Sequence, residues 1–202
     1  MGGKKRLSRA ERRAQLIDVA ADAFLAGGFE GTSMDDIARA AGVTRLIVYR
    51  NFESKADLYR AVLDSVLVKL GEAFASSDLP MQDAVRVMLP VARSNAAAFQ
   101  LLWRDAGYHT PFRDRSDFLR AQVYEGARVA LQPYVADPVR LEWAARSGGA
   151  HLVECICAWI DVGRRSQDQE AVEMIRRGLS SLAEAWSDRP EPVGAGAVPS
   201  DD

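Results

Sequence analysis

The sequence is short of the residues that catalysis and covalent stapling require. It has two cysteines, Cys155 and Cys157, in 202 residues. On a helix their side chains point about 200° apart, so they cannot cross-link a fold, and the composition suits a reducing cytoplasm. The two histidines, His109 and His151, are far in sequence from any paired nucleophile, so no acid–base or covalent constellation is visible. There is no G-x-G-x-x-G after a strand, no Walker loop and no G-x-S-x-G elbow. Gly194-Ala195-Gly196 lies in a tail without that context. No run of about 18 apolar residues exists, so no bilayer-spanning helix is expected. The basic start, Met1 to Arg6, lacks the apolar stretch of a secretory signal. These absences predict a cytoplasmic protein that is not an enzyme, carries no metal or other cofactor and has no membrane partner.

What is present is ordinary globular composition, 48% hydrophobic and 27% charged. The length allows one domain or two small ones. The net charge of −2 hides an asymmetry. Residues 1–60 hold 11 Lys and Arg against 8 Asp and Glu, and the remainder holds 15 against 20. Within the first 13 residues the count is six basic (Lys4, Lys5, Arg6, Arg9, Arg12, Arg13) against one acidic (Glu11). Such a chain is either a polyanion-binding end joined to an acidic body, or a body with a merely solvated basic tail.

Almost nothing alternates as a strand would, and helical spacing recurs throughout. Leu16, Ile17, Ala20, Ala23 and Phe24 share one face of a helix from about Arg9 to Ala26, which Gly27-Gly28 ends. Ser33 caps a second helix, with Asp35 and Asp36 where the dipole favours negative charge. Gly42 stops that helix. Thr44 is expected to cap a third, Arg45 to about Asn51, and Ser54 a fourth, running to about Ser76. Asp78-Leu79-Pro80 interrupts, and helix resumes near Met81. Pro90 should kink or break it. Asn95 is expected to cap the next helix, through Asp105. Gly107 to Pro111 reads as a loop, followed by a helix from about Ser116 to Leu131. Asp137-Pro138 starts a long helix to about Val162, and the last spans about Gln167 to Trp186. The tail, rich in Pro, Gly and Ala, has the composition of a disordered segment. The prediction is an all-α chain of about nine helices. Residues 1–8 form a basic arm, 9–54 a helix-turn-helix head, 55–187 a helical body and 188–202 a tail.

The two short helices joined by Ala41-Gly42-Val43 have helix-turn-helix layout. The outward residues of the second are Thr44, Arg45, Leu46, Tyr49 and Arg50. An exposed leucine between arginines is odd for a solvated face. It makes sense in a major groove, where arginine pairs with guanine and an apolar side chain packs on a thymine methyl. Tyr49 and Lys55 would then reach phosphates. A plain surface helix with a partly buried leucine is the alternative.

The stretch from Gly28 through Met34-Asp35-Asp36-Ile37-Ala38-Arg39-Ala40-Ala41-Gly42-Val43-Thr44, then Tyr49-Arg50-Asn51-Phe52-Glu53-Ser54-Lys55, resembles the DNA-binding domain of TetR-family bacterial transcriptional regulators. The resemblance is dense over about residues 9–62 and only general beyond. It implies a homodimer whose first three helices bind DNA and whose helical body holds a small-molecule pocket and the dimer interface. It implies that Thr44, Arg45 and Leu46 face the bases and that Tyr49, Asn51 and Lys55 meet phosphates. Arg50 would serve bases or phosphate, and Ser33 and Met34 would seat the positioning helix on the backbone. The family often has a small residue at Leu46, a threonine at Ile47, and histidine or tyrosine at Asn51. Ile47 offers no hydroxyl to phosphate and is free to join the core.

In the body, Val172, Ile175, Leu179, Leu182 and Trp186 recur at steps of 3, 4, 3 and 4, a near-heptad stripe. Leu141, Ala144, Ala145, Leu152, Val153, Ile156, Trp159 and Ile160 leave the preceding helix little polar face. Ser147-Gly148-Gly149-Ala150 would allow close approach of another backbone. Either the two helices pack within one monomer, or two copies form a four-helix interface through Ile156, Ile175, Leu179, Leu182 and Trp186, as the resemblance also implies. Phe99, Trp103, Tyr124, His151 and Trp159 are candidate walls of a ligand pocket, with ordinary core packing as the alternative for each. His151, Glu154 and Cys155 share one helical face, but three such residues on one helix without a partner cluster predict no metal site. The expectation is a dimeric repressor that double-stranded DNA binds through a palindromic operator and that a small-molecule inducer releases. The rivals are a ligand-independent regulator and a helical interaction module that does not bind DNA.

Overall fold

The computed structural model describes residues 7–188. The expected basic arm, apart from Leu7 and Ser8, and the expected tail, apart from Asp188, lie outside the described residues. Among the described residues every regular element is helical. The α-helices are α1 (Arg9–Gly31), α2 (Met34–Ala40), α3 (Arg45–Asn51), α4 (Lys55–Ala75), α5 (Ala84–Ser94), α6 (Ala96–Gln100), α7 (Arg113–Leu131), α8 (Pro138–Val162) and α9 (Asp168–Trp186). α6 runs on into a π-helical turn, Leu101–Asp105.

Local chemistry sets most of these boundaries. Ser8 and Glu11 form a reciprocal capping box at the start of α1. Ser33 and Asp36 do the same for α2, and Ser54 accepts the Asp57 amide to start α4. Asp137 caps α8, with Pro138 at its first position. Gly28 adopts φ +70° and breaks α1, after which a short helical turn continues to Gly31.

Three local expectations are not met. Thr44 stands at the start of α3 in extended conformation, but its hydroxyl makes no capping bond. The Asn95 side chain does not cap α6 either. Its Nδ2 donates to the Val91 carbonyl, and its Oδ1 accepts from the Lys69 ammonium. Pro90 does not stop α5, which runs from Ala84 to Ser94 through it. The proline is exposed, and its missing amide removes one helical hydrogen bond, that to the Arg86 carbonyl.

One hydrophobic core runs through head and body. In the head, Leu16, Ala20 and Phe24 of α1, Ile37 of α2 and Val48 of α3 are fully buried. Each of the larger side chains contributes about 1.5–3 kcal/mol by leaving water. α4 carries Leu58, Tyr59, Val62, Leu63 and Val66 into the same core and joins head to body. Phe24, Phe29, Tyr59 and Phe112 form an aromatic cluster at that junction, with ring centroids 4.5–5.1 Å apart around Tyr59. The Tyr59 hydroxyl donates to Asp105 Oδ2 at 2.6 Å.

In the body, Gly149 of α8 lies where a Cβ would stand 3.3 Å from the Val123 carbonyl of α7. The close approach expected at Ser147 to Ala150 is therefore made with α7 of the same chain. Arg93 of α5 is nearly buried and closes the end of α8. It pairs with Asp168 at 2.8 Å and donates to the Trp159 and Ile160 carbonyls at 3.4 Å. Trp159 Nε1 donates to the same carboxylate at 2.8 Å.

This cluster generates a stability prediction. Arg93→Ala is expected to cost about 2 kcal/mol, less than breaking a fully buried pair because Asp168 can rehydrate. Partial burial raises the Asp168 carboxyl, but the hydrogen bonds from Arg93 and Trp159 outweigh it and hold the group below its usual 3.8. A depressed carboxylate stabilises the fold above its unfolded pKa and ceases to as pH falls through the folded value. The stability gap between wild type and Asp168→Asn should thus be full near neutrality and close below the ordinary aspartate range. Urea unfolding at about pH 7 and about pH 3 checks this; an equal gap at both would mean that ionised Asp168 contributes nothing.

Candidate nucleic-acid interface

The head is built from a turn that the sequence makes compulsory. Gly42 has φ +65°, a conformation that side chains with a Cβ resist. That turn lets the Gly42 amide donate to the Arg39 carbonyl at 3.1 Å and the Val43 amide to Ala38 at 3.0 Å. These bonds satisfy the last carbonyls of α2 and redirect the chain into α3. Ile37 and Ala38 on one side and Val48 on the other then lock the two helices onto α1.

Fixing Val48 inward fixes what points outward. Thr44, Arg45, Leu46, Tyr49 and Arg50 are all exposed, while Ile47 is half-buried. Leu46 is 59% exposed and Tyr49 41%. Arg45 does not hang free. Its guanidinium pairs with Asp35 of α2 at 3.0 Å, donates to the Tyr49 hydroxyl at 3.3 Å and lies 5.1 Å from the Tyr49 ring centre. The remaining sequence-predicted residues have other surroundings. Ser33 is exposed and bonded to Asp36, whose carboxyl the Ser33 hydroxyl and amide and then Arg39 hold down to about 2. The Met34 side chain is buried, which leaves only its backbone amide, in the first turn of α2, to serve the contact expected of it. Asn51 is half-buried. Its Nδ2 donates to the Ile47 carbonyl at 2.8 Å, and its Oδ1 is buried without a partner.

Lys55 departs from expectation. Its ammonium donates to the Phe29 carbonyl at 2.7 Å and the Glu30 carbonyl at 3.3 Å, and stands 4.4 Å from the Phe29 ring centre. It closes the end of α1 against the start of α4 rather than reaching out to a phosphate. Arg13, counted in the sequence only as part of the basic N-terminus, does the corresponding work for α3. It donates to the Asn51 carbonyl at 2.7 Å and lies over Phe52 at 4.1 Å. Asp35 and Arg13 were not legible as interface residues. The one local signal at Asp35 was its place in the first turn of a helix.

The expected pocket residues differ in their surroundings. Phe99 is fully buried, and Trp103 nearly so, with Arg120 4.4 Å from its ring centre. Tyr124 is half-buried against Gly149. His151 is exposed, its Nε2 3.4 Å from Cys155 Sγ, while Glu154 turns to pair with Arg104. Two open clefts, of about 380 and 590 Å³, lie elsewhere. The smaller is lined by Leu89, Arg93 and Asp168 among others, and none of the five residues lines either one.

The expected interface residues divide. Ile156 is fully buried within the monomer, so it is a core residue and leaves the interface set. Ile175, Leu179, Leu182 and Trp186 are half-buried. Trp186 stacks edge-on against Trp143 with centroids 5.0 Å apart. Beside Trp186, Trp143 is 55% exposed, and α8 also exposes Val139 and Val162, one near each end.

Residues 16–62 match the family of bacterial regulatory proteins, tetR family. The HTH-type transcriptional activator FasR of Mycolicibacterium smegmatis is 45% identical over 65 residues, 31% of this chain and 30% of FasR. The HTH-type transcriptional regulator TtgR of Pseudomonas putida is 48% identical over 56 residues, 28% of this chain and 27% of TtgR. The match thus spans under a third of the length of these curated relatives. The body is matched in structure. A TetR-like transcriptional regulator from Rhodococcus sp. RHA1 superposes with TM-score 0.70 at 22% identity, over 89% of this chain and 97% of that one. A tetR-family regulator from Streptomyces coelicolor gives 0.61 at 27% identity, over 90% and 85%. These relatives are transcriptional regulators and not enzymes. Sequence in the head and backbone in the body point the same way: residues 16–62 match the tetR family of bacterial regulatory proteins, and the chain as a whole has the fold of solved TetR-like regulators.

Proposed function

We propose that the chain is a dimeric transcriptional repressor acting in the cytoplasm, and that a small-molecule effector releases it from DNA. The observation that carries the DNA-reading part is the outward set on α3. An exposed leucine flanked by Arg45 and Arg50 is costly as solvated surface and complementary to a major groove. In this reading residues 9–54 are the DNA-binding domain and residues 55–187 the effector-binding and dimerisation domain. Thr44, Arg45 and Leu46 meet base edges. Tyr49, Arg50 and Asn51 meet phosphates or set the register, and Ser33 and the Met34 amide seat α2 on the backbone. The exposed apolar surface around Trp143, Leu179 and Leu182 takes a second copy of the chain. Two α3 helices then read the half-sites of an imperfect palindrome. The effector favours one spacing of the heads over the other and changes DNA affinity by its differential affinity for the two states.

A second reading keeps the DNA and drops the ligand. The close burial of Phe99 and Trp103 favours it, and neither of the two clefts described is lined by any of the five candidate pocket residues. Calorimetric titration with a panel of hydrophobic small molecules separates the two. A ligand that both binds and weakens DNA binding supports release by an effector.

Three outcomes test the DNA and dimer parts. Arg45→Ala should weaken specific binding by about 1–3 kcal/mol and relax preference at one base pair; equal weakening across the whole site would make Arg45 a phosphate contact. Deleting residues 1–6, which hold Lys4, Lys5 and Arg6, should flatten the dependence of affinity on salt, because counterion release tracks phosphate contacts. An unchanged slope would mean that this segment stays off the DNA. Trp143→Glu should convert the dimer to a monomer in sedimentation experiments while leaving helicity unchanged, since Trp143 is already half in water. A dimer that survives would move the interface elsewhere.

A further inference from the structure

An acidic side chain on a DNA-facing surface repels phosphates, so its presence there asks for a reason. Asp35 is such a residue. It lies in the first turn of α2, where the helix dipole favours a carboxylate. Yet the capping of that helix is already complete without it. Asp36 provides the reciprocal box with Ser33 and holds Arg39 at 2.8 Å. Asp35 instead reaches across the turn to Arg45, ten residues on, at 3.0 Å.

The rest of the Arg45 environment completes a clamp. One terminal nitrogen is held by Asp35 and the other by the Tyr49 hydroxyl at 3.3 Å, with the guanidinium beside the Tyr49 ring. An arginine has five N–H donors in a planar fork, so two such bonds fix the plane and leave three donors for DNA. Both anchors are themselves well placed. α2 is pinned by buried Met34, Ile37 and Ala38, and α3 by buried Val48. Asp35 and Arg45 remain half to two-thirds exposed, with side-chain exposures of 50% and 61%. The pair therefore adds little to folding, and its effect falls on where the guanidinium points.

We infer that Asp35 is a specificity-determining positioning residue, which holds Arg45 in the orientation that meets a base and away from the nearest phosphate. The inference rests on the reading of Arg45 as a base contact. The reason is a competition. A long, flexible cation beside DNA is drawn to the phosphates, where negative charge is densest, and a phosphate contact carries no sequence information. A carboxylate anchored on a second helix opposes that collapse. The cost is some general affinity, and the gain is discrimination at one base pair.

The test uses the full-length protein and the duplex recovered by selection from a random library. Competition binding is measured against single-base variants and against unrelated duplex, at several salt concentrations. Asp35→Ala should lower discrimination at the base pair read by Arg45 by about tenfold. It should also tighten binding to unrelated DNA and steepen the salt slope by about one phosphate contact. In an Arg45→Ala background the same change should leave discrimination at that pair unaltered. Asp35→Asn, which keeps the shape and removes the charge, should show the same direction with a smaller loss. It also gives the readout if the alanine variant disturbs the head. Intact discrimination at that pair in both Asp35 variants overturns the proposal, as does an equal loss at every position or a loss that persists without Arg45. Arg45→Ala by itself reports on the underlying reading. If it weakens all positions equally, that reading fails whatever the Asp35 variants do, and the role of Asp35 fails with it.

Discussion

A tyrosine taken wholly out of water must still satisfy its hydroxyl, and Tyr59 does so on Asp105. The ring is 0% exposed and packs edge-on against Phe24 and Phe29 of the head and closely against Phe112 of the body. Burial, and then the neighbouring Asp105, push the phenol above its ordinary range, so it remains a donor. Asp105 in turn ends the π-helical turn that follows α6. One hydrogen bond of 2.6 Å thus joins α4, which carries the head, to the central wall of the body. π-Helical turns inside α-helices are frequent at functional sites.

The head itself is rigid for a different reason. Two of its three helices are short: α2 and α3 have only seven residues each, too few to be stable alone. They persist because Ile37 and Val48 are buried against α1, because Gly42 makes the turn, and because Arg13 and Lys55 close the free carbonyls at the ends of α3 and α1. Two cations that a sequence reading assigns to phosphates or to a tail are thereby spent on holding the interface together. What remains outward is a small set on one face, and its most unusual member is the exposed Leu46. A surface so constrained presents its side chains without paying reorganisation on contact, which is what discrimination between base pairs requires.

The parts of this structure legible in the sequence are the local ones. The Gly42 turn, the Ser33 and Ser54 caps, the span of α3 and its outward face depend on residues within a few positions of one another, and each stands where the spacing predicts. The missed features join distant positions. Lys55 meets a carbonyl 26 residues back, and Arg93 meets a carboxylate 75 residues on. Asp35 and Arg45 are only ten apart, but their meeting depends on the angle of the turn between them. Helical periodicity finds the apolar stripe of α8 without telling which side faces its own chain, so it leaves Ile156 open to a dimer interface, whereas the residue is fully buried within the monomer. Thr44 and Asn95 have the right chemistry for caps, but their side chains make no capping bonds there. A pocket is harder still to read, because it is a property of the space between helices rather than of any one of them.

The central claim is that the outward face of α3 reads DNA sequence as one half of a symmetric pair. Selection of bound duplexes from a random library, followed by sequencing, tests it most directly. The account predicts enrichment of an inverted repeat whose half-site centres lie about one helical turn, or a multiple of it, apart. Retained DNA with no shared sequence, at salt low enough for binding to be strong, would contradict it.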